Sequence, residues 1–564
     1  MPARHTFLLL ALLCIGYGWL FPWSEQIHNP NEMVRVYAVR ALAEHGTYAI
    51  ARREVGPFGQ VRDTGPVYQE WGYVNDKALK CEDDDAKPPN CTGNLYACKA
   101  PGLNTLGALP QFALDRGWRA ATGHGPPKPW IVWWLRLSCV IIPTIAGFLA
   151  LHKHLHNSLT RKGLALAAVL AAAFGSLSLT YGQMFAGHQP AGIALLLAFL
   201  AIARTDDHPH NRGRVALAGL GIGLAVVIEF TAAPAALILV AWLLLRRRRW
   251  ADLPWLVVGG LGPALLLAHF DWRAFGAPWR LPYGYVENQG FVQDMAPGFF
   301  GIHLPDKEKT LGSLVSPFTG LYFWAPWTVL AWLGLFGLHK ARAVAATIWQ
   351  DRRGEALVAF GICVYFLFFQ CTHSLWRGGW VVGPRYITAL VPFAAIAVAH
   401  GLDGLGGRAA RLGDLLLAVG AATAIAVTGA ATAVSQGFPG EVYNPLSEVV
   451  LPLLQHGYVW SSPPVWFGVP ARVAALPWLV ALGVAAGWAI VALEPPNLRP
   501  ARWPVRVIGS TVVAALAVAC VVGLFSVRGE RDQADKDGTV KFLMRTWWPQ
   551  PLAGATSLPG SAAP

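Results

Sequence analysis

The chain has 564 residues, of which 54% are hydrophobic and only 14% charged, and its formal net charge is +13. Soluble domains carry about a quarter charged residues, so this composition excludes an ordinary soluble protein. The positive charge does not mark a nucleic-acid binder, because Lys and Arg cluster in short links between apolar runs, as the positive-inside rule predicts.

Many of those runs reach the ~17–25 residues that span a bilayer. Spans in lipid must satisfy their own backbone, and runs such as Leu164–Ala173 lack the alternation of a barrel strand. The fold class is therefore an all-α polytopic membrane protein. In chain order, about thirteen transmembrane helices are predicted, near 7–21, 130–151, 163–180, 190–204, 215–229, 231–245, 253–270, 320–338, 356–371, 384–401, 415–433, 472–493 and 506–526. Helix 7–21 reads as a retained anchor rather than a cleaved signal peptide, since no small-residue cleavage pattern precedes Trp23.

Basic clusters fall at every second link, at Lys153, Arg161 and Lys162, then Arg204, Arg212 and Arg214, Arg246–Arg249, Lys340 to Arg353, Arg408 and Arg411, and Arg499 to Arg506. This places the N-terminus in the cytoplasm. It puts the long segments outside: the first loop 23–129, loops near 271–319 and 434–471, and the tail 527–564. The chain then divides into a first helix (1–22), an outer loop with a candidate active site (23–129), a helix bundle (130–526) and the tail. Any catalytic surface is therefore expected to face outward.

The first loop carries internal order. Asn29 or Asn31 can cap a helix with Glu32 in its first turn, and Val34, Ala38, Ala41 and Leu42 form an apolar stripe that Gly46 ends. A second amphipathic helix is predicted over Gly102–Leu114, after Pro101. Both are expected to lie in the membrane interface. The Gly/Pro/Asp-rich stretch 54–95 between them reads as irregular loop. Cys81, Cys91 and Cys98 lie in this loop. An oxidising exterior favours one disulfide, with Cys81–Cys91 the leading pair, and no Cys-x-x-Cys or nearby His pair supports zinc. Glu82–Asp85 lacks the alternating ligands and Gly of an EF-hand and reads as a solvated tip.

Several motifs resemble the GT-C glycosyltransferases, and within them the bacterial family-39-type group of protein mannosyltransferases and lipid A aminoarabinose transferase. Pro30-Asn31-Glu32 with Arg35 and Tyr37 is similar to the acidic motif after helix 1. Tyr96-Ala97-Cys98-Lys99-Ala100-Pro101-Gly102 resembles the Lys-Pro-Pro-like motif. Gly383-Pro384-Arg385-Tyr386, Ala274–Pro278 and Ser316–Tyr322 match later motifs. The likeness covers roughly residues 7–400. It departs at Asn31, which stands where the family has a catalytic Asp. Lys87-Pro88-Pro89 is the closer literal match to Lys-Pro-Pro, but it sits in the acidic tip, so the role is carried to Lys99.

The resemblance implies sugar transfer from a polyprenyl-phosphate donor to an envelope lipid, glycan or protein, by inverting displacement. Such chemistry needs a base for the acceptor proton and cations for the departing phosphate. Glu32 is the leading base, against a plain i,i+3 pairing with Arg35. Asp63 and then Asp76 follow. Lys99 and Arg385 are the phosphate-binding candidates, a point charge and a planar guanidinium. Arg35, His188, Glu229 and Tyr283 are supporting candidates, with helix-end placement or an aromatic belt as their plain alternatives. No pattern calls for a cofactor; a divalent metal is left open, and no metal ligands are assigned. The rival readings are a lipid or sugar-lipid flippase, against which no internal repeat is evident, and a non-catalytic envelope-assembly subunit, to which Asn31 lends weight.

Overall fold

The computed structural model describes residues 3–23, 27, 29–56, 58–83, 85–205, 211–247, 250–333, 352–493 and 503–547. It is a mostly helical, multi-pass membrane protein, and among the described residues seven helices are long and apolar enough to cross a bilayer. These are Lys128–Ser158, Trp250–Phe275, Arg353–Thr372, Arg385–Asp403, Gly407–Val434, Ala471–Ala492 and Val507–Ser526. Shorter apolar helices, including His5–Gly18, Lys162–Phe174 and His188–Ala203, pack among them. The Lys162–Phe174 helix is buried from Leu164 onward, so its Ala-rich sequence lets neighbouring backbones approach. It stops at Phe174 and does not run to 180 as expected, and a separate turn, Ser178–Tyr181, follows. The helix expected over 320–338 begins as a short turn at Leu321–Trp324 and a 3-10 segment at Pro326–Trp332. Its remainder from 334 lies outside the described residues, as does the tail beyond 547.

The first loop departs from the all-α expectation. Segment 54–95 is not irregular: it contributes to a four-stranded antiparallel sheet of order β2-β1-β4-β3. The strands are β1 (Ala51–Val55), β2 (Val61–Thr64), β3 (Lys77–Cys81) and β4 (Gly93–Ala97). Gly and Pro residues sit in its turns, while the strands themselves are short and mixed in polarity, so they gave no strong alternation. The Cys81–Cys91 disulfide forms, with a Cα–Cα distance of 5.6 Å, and staples the end of β3 to the approach of β4.

Strand register sets the neighbours of the charged residues in this domain. Arg53 on β1 lies opposite Asp63 on β2. Lys77 on β3 lies opposite Ala97 on β4, and the Cys98 N–H donates to the Asp76 carbonyl at 3.0 Å. Asp76 and Lys99, far apart in sequence, are thereby neighbours at the same end of the sheet.

The helix Pro30–His45 is capped by Asn29, whose side chain accepts from the Asn31 and Glu32 N–H groups, and Gly46 closes it at φ +66°. Every residue from Val34 to Ala41 is buried, because the helix is clamped between the sheet domain, the Gly102–Thr122 helix and the bundle. The Gly102–Thr122 helix fits the amphipathic expectation better, with Leu103 and Gly107 buried and Leu106, Leu109 and Phe112 exposed along its other side.

Candidate active site

The sheet domain sits on one end of the bundle, and a cavity of about 470 Å³ lies beneath it. Helix His188–Ala203 starts at this cavity, Arg212–Ile228 ends at it, Arg352–Thr372 ends at it and Arg385–Asp403 starts at it. The basic residues Arg204, Arg246 and Arg408 therefore lie at the other end of the bundle.

Of the residues singled out from the sequence, Asp76, Lys99, His188, Glu229, Tyr283 and Arg385 line this cavity together. Lys99 and Asp76 form an ion pair of 3.0 Å at the wall contributed by the sheet domain. The Lys99-Ala100-Pro101-Gly102 motif is fixed by local packing. The Ala100 carbonyl accepts from Arg35 at 3.0 Å. A Cβ on Gly102 would lie 2.6 Å from the Val227 carbonyl oxygen, so only glycine allows the helix to start that close to its neighbour. Lys99 is left pointing inward.

Arg385 enters from the helix bundle. Gly383 precedes it at φ +61°, a conformation that suits glycine, and Pro384 opens the helical segment. One guanidinium nitrogen donates to the Tyr386 hydroxyl at 3.2 Å, while the buried Nε has no hydrogen-bond partner. Among the described residues no carboxylate lies within ion-pair range of Arg385. A guanidinium without a carboxylate partner beside a cavity is a ready anion site.

Behind these groups is a buried triad. Arg35 lies 3.6 Å and His188 3.4 Å from Glu229 Oε2, and Arg35 also donates to Asn31 Oδ1 at 3.0 Å. Gly187 makes room for it, since a Cβ there would come 2.7 Å from Glu229 Oε2 and 2.9 Å from an Arg35 nitrogen. The Tyr283 hydroxyl is held protonated far beyond its ordinary range, first by burial and then by the Glu229 charge. Tyr386 packs its ring against His188 and His373.

The two leading base candidates are elsewhere. Glu32 does not pair with Arg35 and does not line the cavity. It is fully buried, accepts two hydrogen bonds from Arg136 at 2.7 and 2.8 Å, and accepts the Phe185 N–H at 2.6 Å. Arg136 immediately precedes a π-helical turn, Leu137–Ile141. Asp63 is drawn into the sheet by its register: Arg53 binds it at 2.7 and 2.9 Å and Lys77 at 2.8 Å. Burial pulls the Asp63 carboxyl upward, but these hydrogen bonds outweigh it and hold it below the ordinary carboxylate range. Both carboxylates are saturated by cations of the scaffold.

Some cavity residues carried no usable signal in the sequence. Asn75 and His373 line it, as do Gly378 and Gly379, at φ +73° and +74°. A second chamber of about 420 Å³ shares Asn31, Asn75, Asp76 and Arg385 with the first and extends toward Trp380 and Phe542. The first chamber continues the other way along Phe230, Phe299, Phe300 and Phe369. Acidic and basic groups thus stand at the junction of a largely apolar chamber and a smaller one.

The fold and the site define a multi-pass membrane protein with a charged cavity between an extramembrane sheet domain and its helix bundle. The chain is similar in structure to ArnT from Cupriavidus metallidurans bound to undecaprenyl phosphate, at 13% identity over 98% of this chain and 86% of that one, with a TM-score of 0.45. It is similar also to ArnT from the same organism in the apo state, at 15% identity over 92% of this chain and 77% of that one, with a TM-score of 0.41. No protein-family model and no curated protein sequence matches the chain.

Proposed function

We propose that this chain is a GT-C-type membrane glycosyltransferase that moves a sugar from a polyprenyl-phosphate donor to an envelope acceptor. The observation that carries the reading is the convergence of Lys99 and Arg385 on one cavity, facing Asp76, the carboxylate that borders both chambers. The apolar chamber suits the polyprenyl chain. The donor phosphate takes Arg385 and Lys99, as a guanidinium and an ammonium suit it.

Phosphate binding draws Lys99 away from Asp76 and frees that carboxylate. The acceptor enters through the smaller chamber, and its hydroxyl or amine attacks the anomeric carbon. As the new bond forms, the C–O bond to phosphate breaks, the electron pair leaves with polyprenyl phosphate, and the acceptor proton passes to Asp76. Attack opposite the leaving group inverts the anomeric centre. The cavity lies at the bundle end away from the basic links, which by the positive-inside rule is the extracytoplasmic side of a bacterial inner membrane.

The test is transfer from a radiolabelled polyprenyl-phosphate sugar by purified protein. Arg385→Ala with Lys99→Ala is expected to abolish turnover and weaken donor binding. Asp76→Asn is expected to keep donor binding and lose roughly 10²–10⁴-fold in rate, the usual share of a general base. Full transfer in the double variant would remove the site assignment, and full transfer in Asp76→Asn would remove the base.

A further inference from the structure

At the end of the bundle remote from the cavity, three helices bring together His154, Glu355 and His400. Arg385 and His400 begin and nearly end the same helical segment, so the cluster lies about 22 Å from the cavity at ~1.5 Å per residue. Their separation along the Arg352–Thr372 helix is similar, since Glu355 is near its start and His373, which follows it, lines the cavity.

Two imidazole nitrogens converge on one carboxylate oxygen. His154 Nε2 lies 2.9 Å and His400 Nε2 3.6 Å from Glu355 Oε2. The side chains of His154, His400 and Glu355 are 9%, 6% and 8% exposed. His400 Nε2 has no hydrogen-bond partner. A hydrogen-bond network alone therefore leaves a buried ring nitrogen unsatisfied.

We propose that His154, Glu355 and His400 bind a zinc ion that ties these three helices together, independently of the transfer site. Zinc takes neutral imidazole nitrogens at about 2.0–2.1 Å and carboxylate oxygens at about 2.0–2.2 Å. In tetrahedral coordination such ligand atoms stand about 3.3 Å apart, a value that the 2.9 and 3.6 Å separations bracket. The ion gives both imidazoles a lone-pair acceptor and neutralises Glu355 without charging either ring. Water completes the fourth position. Two nitrogens and one oxygen suit zinc better than the all-oxygen preference of magnesium or calcium.

The experiment uses the full-length chain, purified in detergent without chelators. Elemental analysis is expected to find roughly one zinc per chain, and His400→Ala or His154→Ala to lose most of it. Chelation is expected to lower the melting temperature of the wild type and added zinc chloride to restore it, with neither treatment moving His400→Ala. Zinc-edge X-ray absorption on the wild type keeps the test open if a variant fails to fold, and it should show a nitrogen/oxygen shell with imidazole scattering. A wild type without zinc whose melting temperature ignores added zinc would overturn the proposal, leaving a hydrogen-bonded His–Glu cluster. A sulfur shell would overturn it too. Neither result bears on sugar transfer.

Discussion

Glu32 offers the sharpest discrimination between scaffold and chemistry. In the structure it binds Arg136 through both oxygens and accepts the Phe185 N–H, with no exposed surface. Glu32→Ala leaves the Arg136 charge buried without its partner, which costs about 3–5 kcal/mol. It also orphans the Phe185 N–H, adding about 1–3 kcal/mol. Glu32→Gln keeps an acceptor oxygen and loses the charge, so it is expected to fall between wild type and alanine. The assay is thermal unfolding in detergent alongside single-turnover sugar transfer, with rates normalised to folded protein. The expected order of melting temperature is wild type, Gln, then Ala. Transfer per folded molecule should stay within about threefold of wild type for Gln, far from the roughly 10²–10⁴ of a lost base. A Glu32→Gln protein as stable as wild type but slowed a hundredfold or more would refute this reasoning and return the base role to Glu32.

Gly187→Ala is expected to push Glu229 and Arg35 apart and cut transfer by roughly 10²-fold, the scale of a displacement of about 1 Å near reacting groups; unchanged kinetics would show that the triad does not position the site. The lowered Asp63 carboxyl contributes stability that is complete above the unfolded value of about 4 and is lost as pH falls through its lower folded value. Hydrogen exchange across 51–97 should therefore rise at acid pH in the wild type, and less so in Asp63→Asn, which starts destabilised. Cys81→Ser with Cys91→Ser is expected to cost about 2–3 kcal/mol locally and open 82–92 to protease, while transfer survives because the disulfide lies away from the cavity.

What could be read from the sequence, and what could not, divides along a physical line. The Asn29 cap and the Gly46 stop are local, and each appears where its residues put it. Glu229 and His188 were legible as candidates because ionisable groups at helix ends stand out against an apolar background, and Lys99 and Arg385 because the motifs around them resemble a known family. Partners were not legible. Glu32 had Arg35 within one turn, yet its cation is Arg136, 104 residues away. Asp63 stood as the second candidate base, but register places Arg53 opposite it. Asp76 ranked below both because its neighbour, Lys99, is set by a β3–β4 pairing that mixed, short strands do not announce. The same weak alternation hid the sheet itself.

The disposition of carboxylates also explains how a phosphate could be accepted at all. A cavity with free Glu32 and Asp63 would repel a phosphodiester, since unpaired like charges in a low-dielectric site interact by several kcal/mol. Arg136 neutralises the first, while Arg53 and Lys77 neutralise the second, and neither carboxylate lines the cavity. At the cavity and just behind it, Arg35, Lys99 and Arg385 then stand against the carboxylates Asp76 and Glu229. Arg35 is already committed to Glu229, and Lys99 to Asp76, so Arg385 is the cation in excess. Replacing it with methionine would leave the cavity balanced without an anion, and the expected consequence is loss of phosphate-dependent donor binding together with its salt sensitivity. A retained salt-sensitive affinity in Arg385→Met would show that Lys99 alone holds the phosphate and that Asp76 is released by some other route.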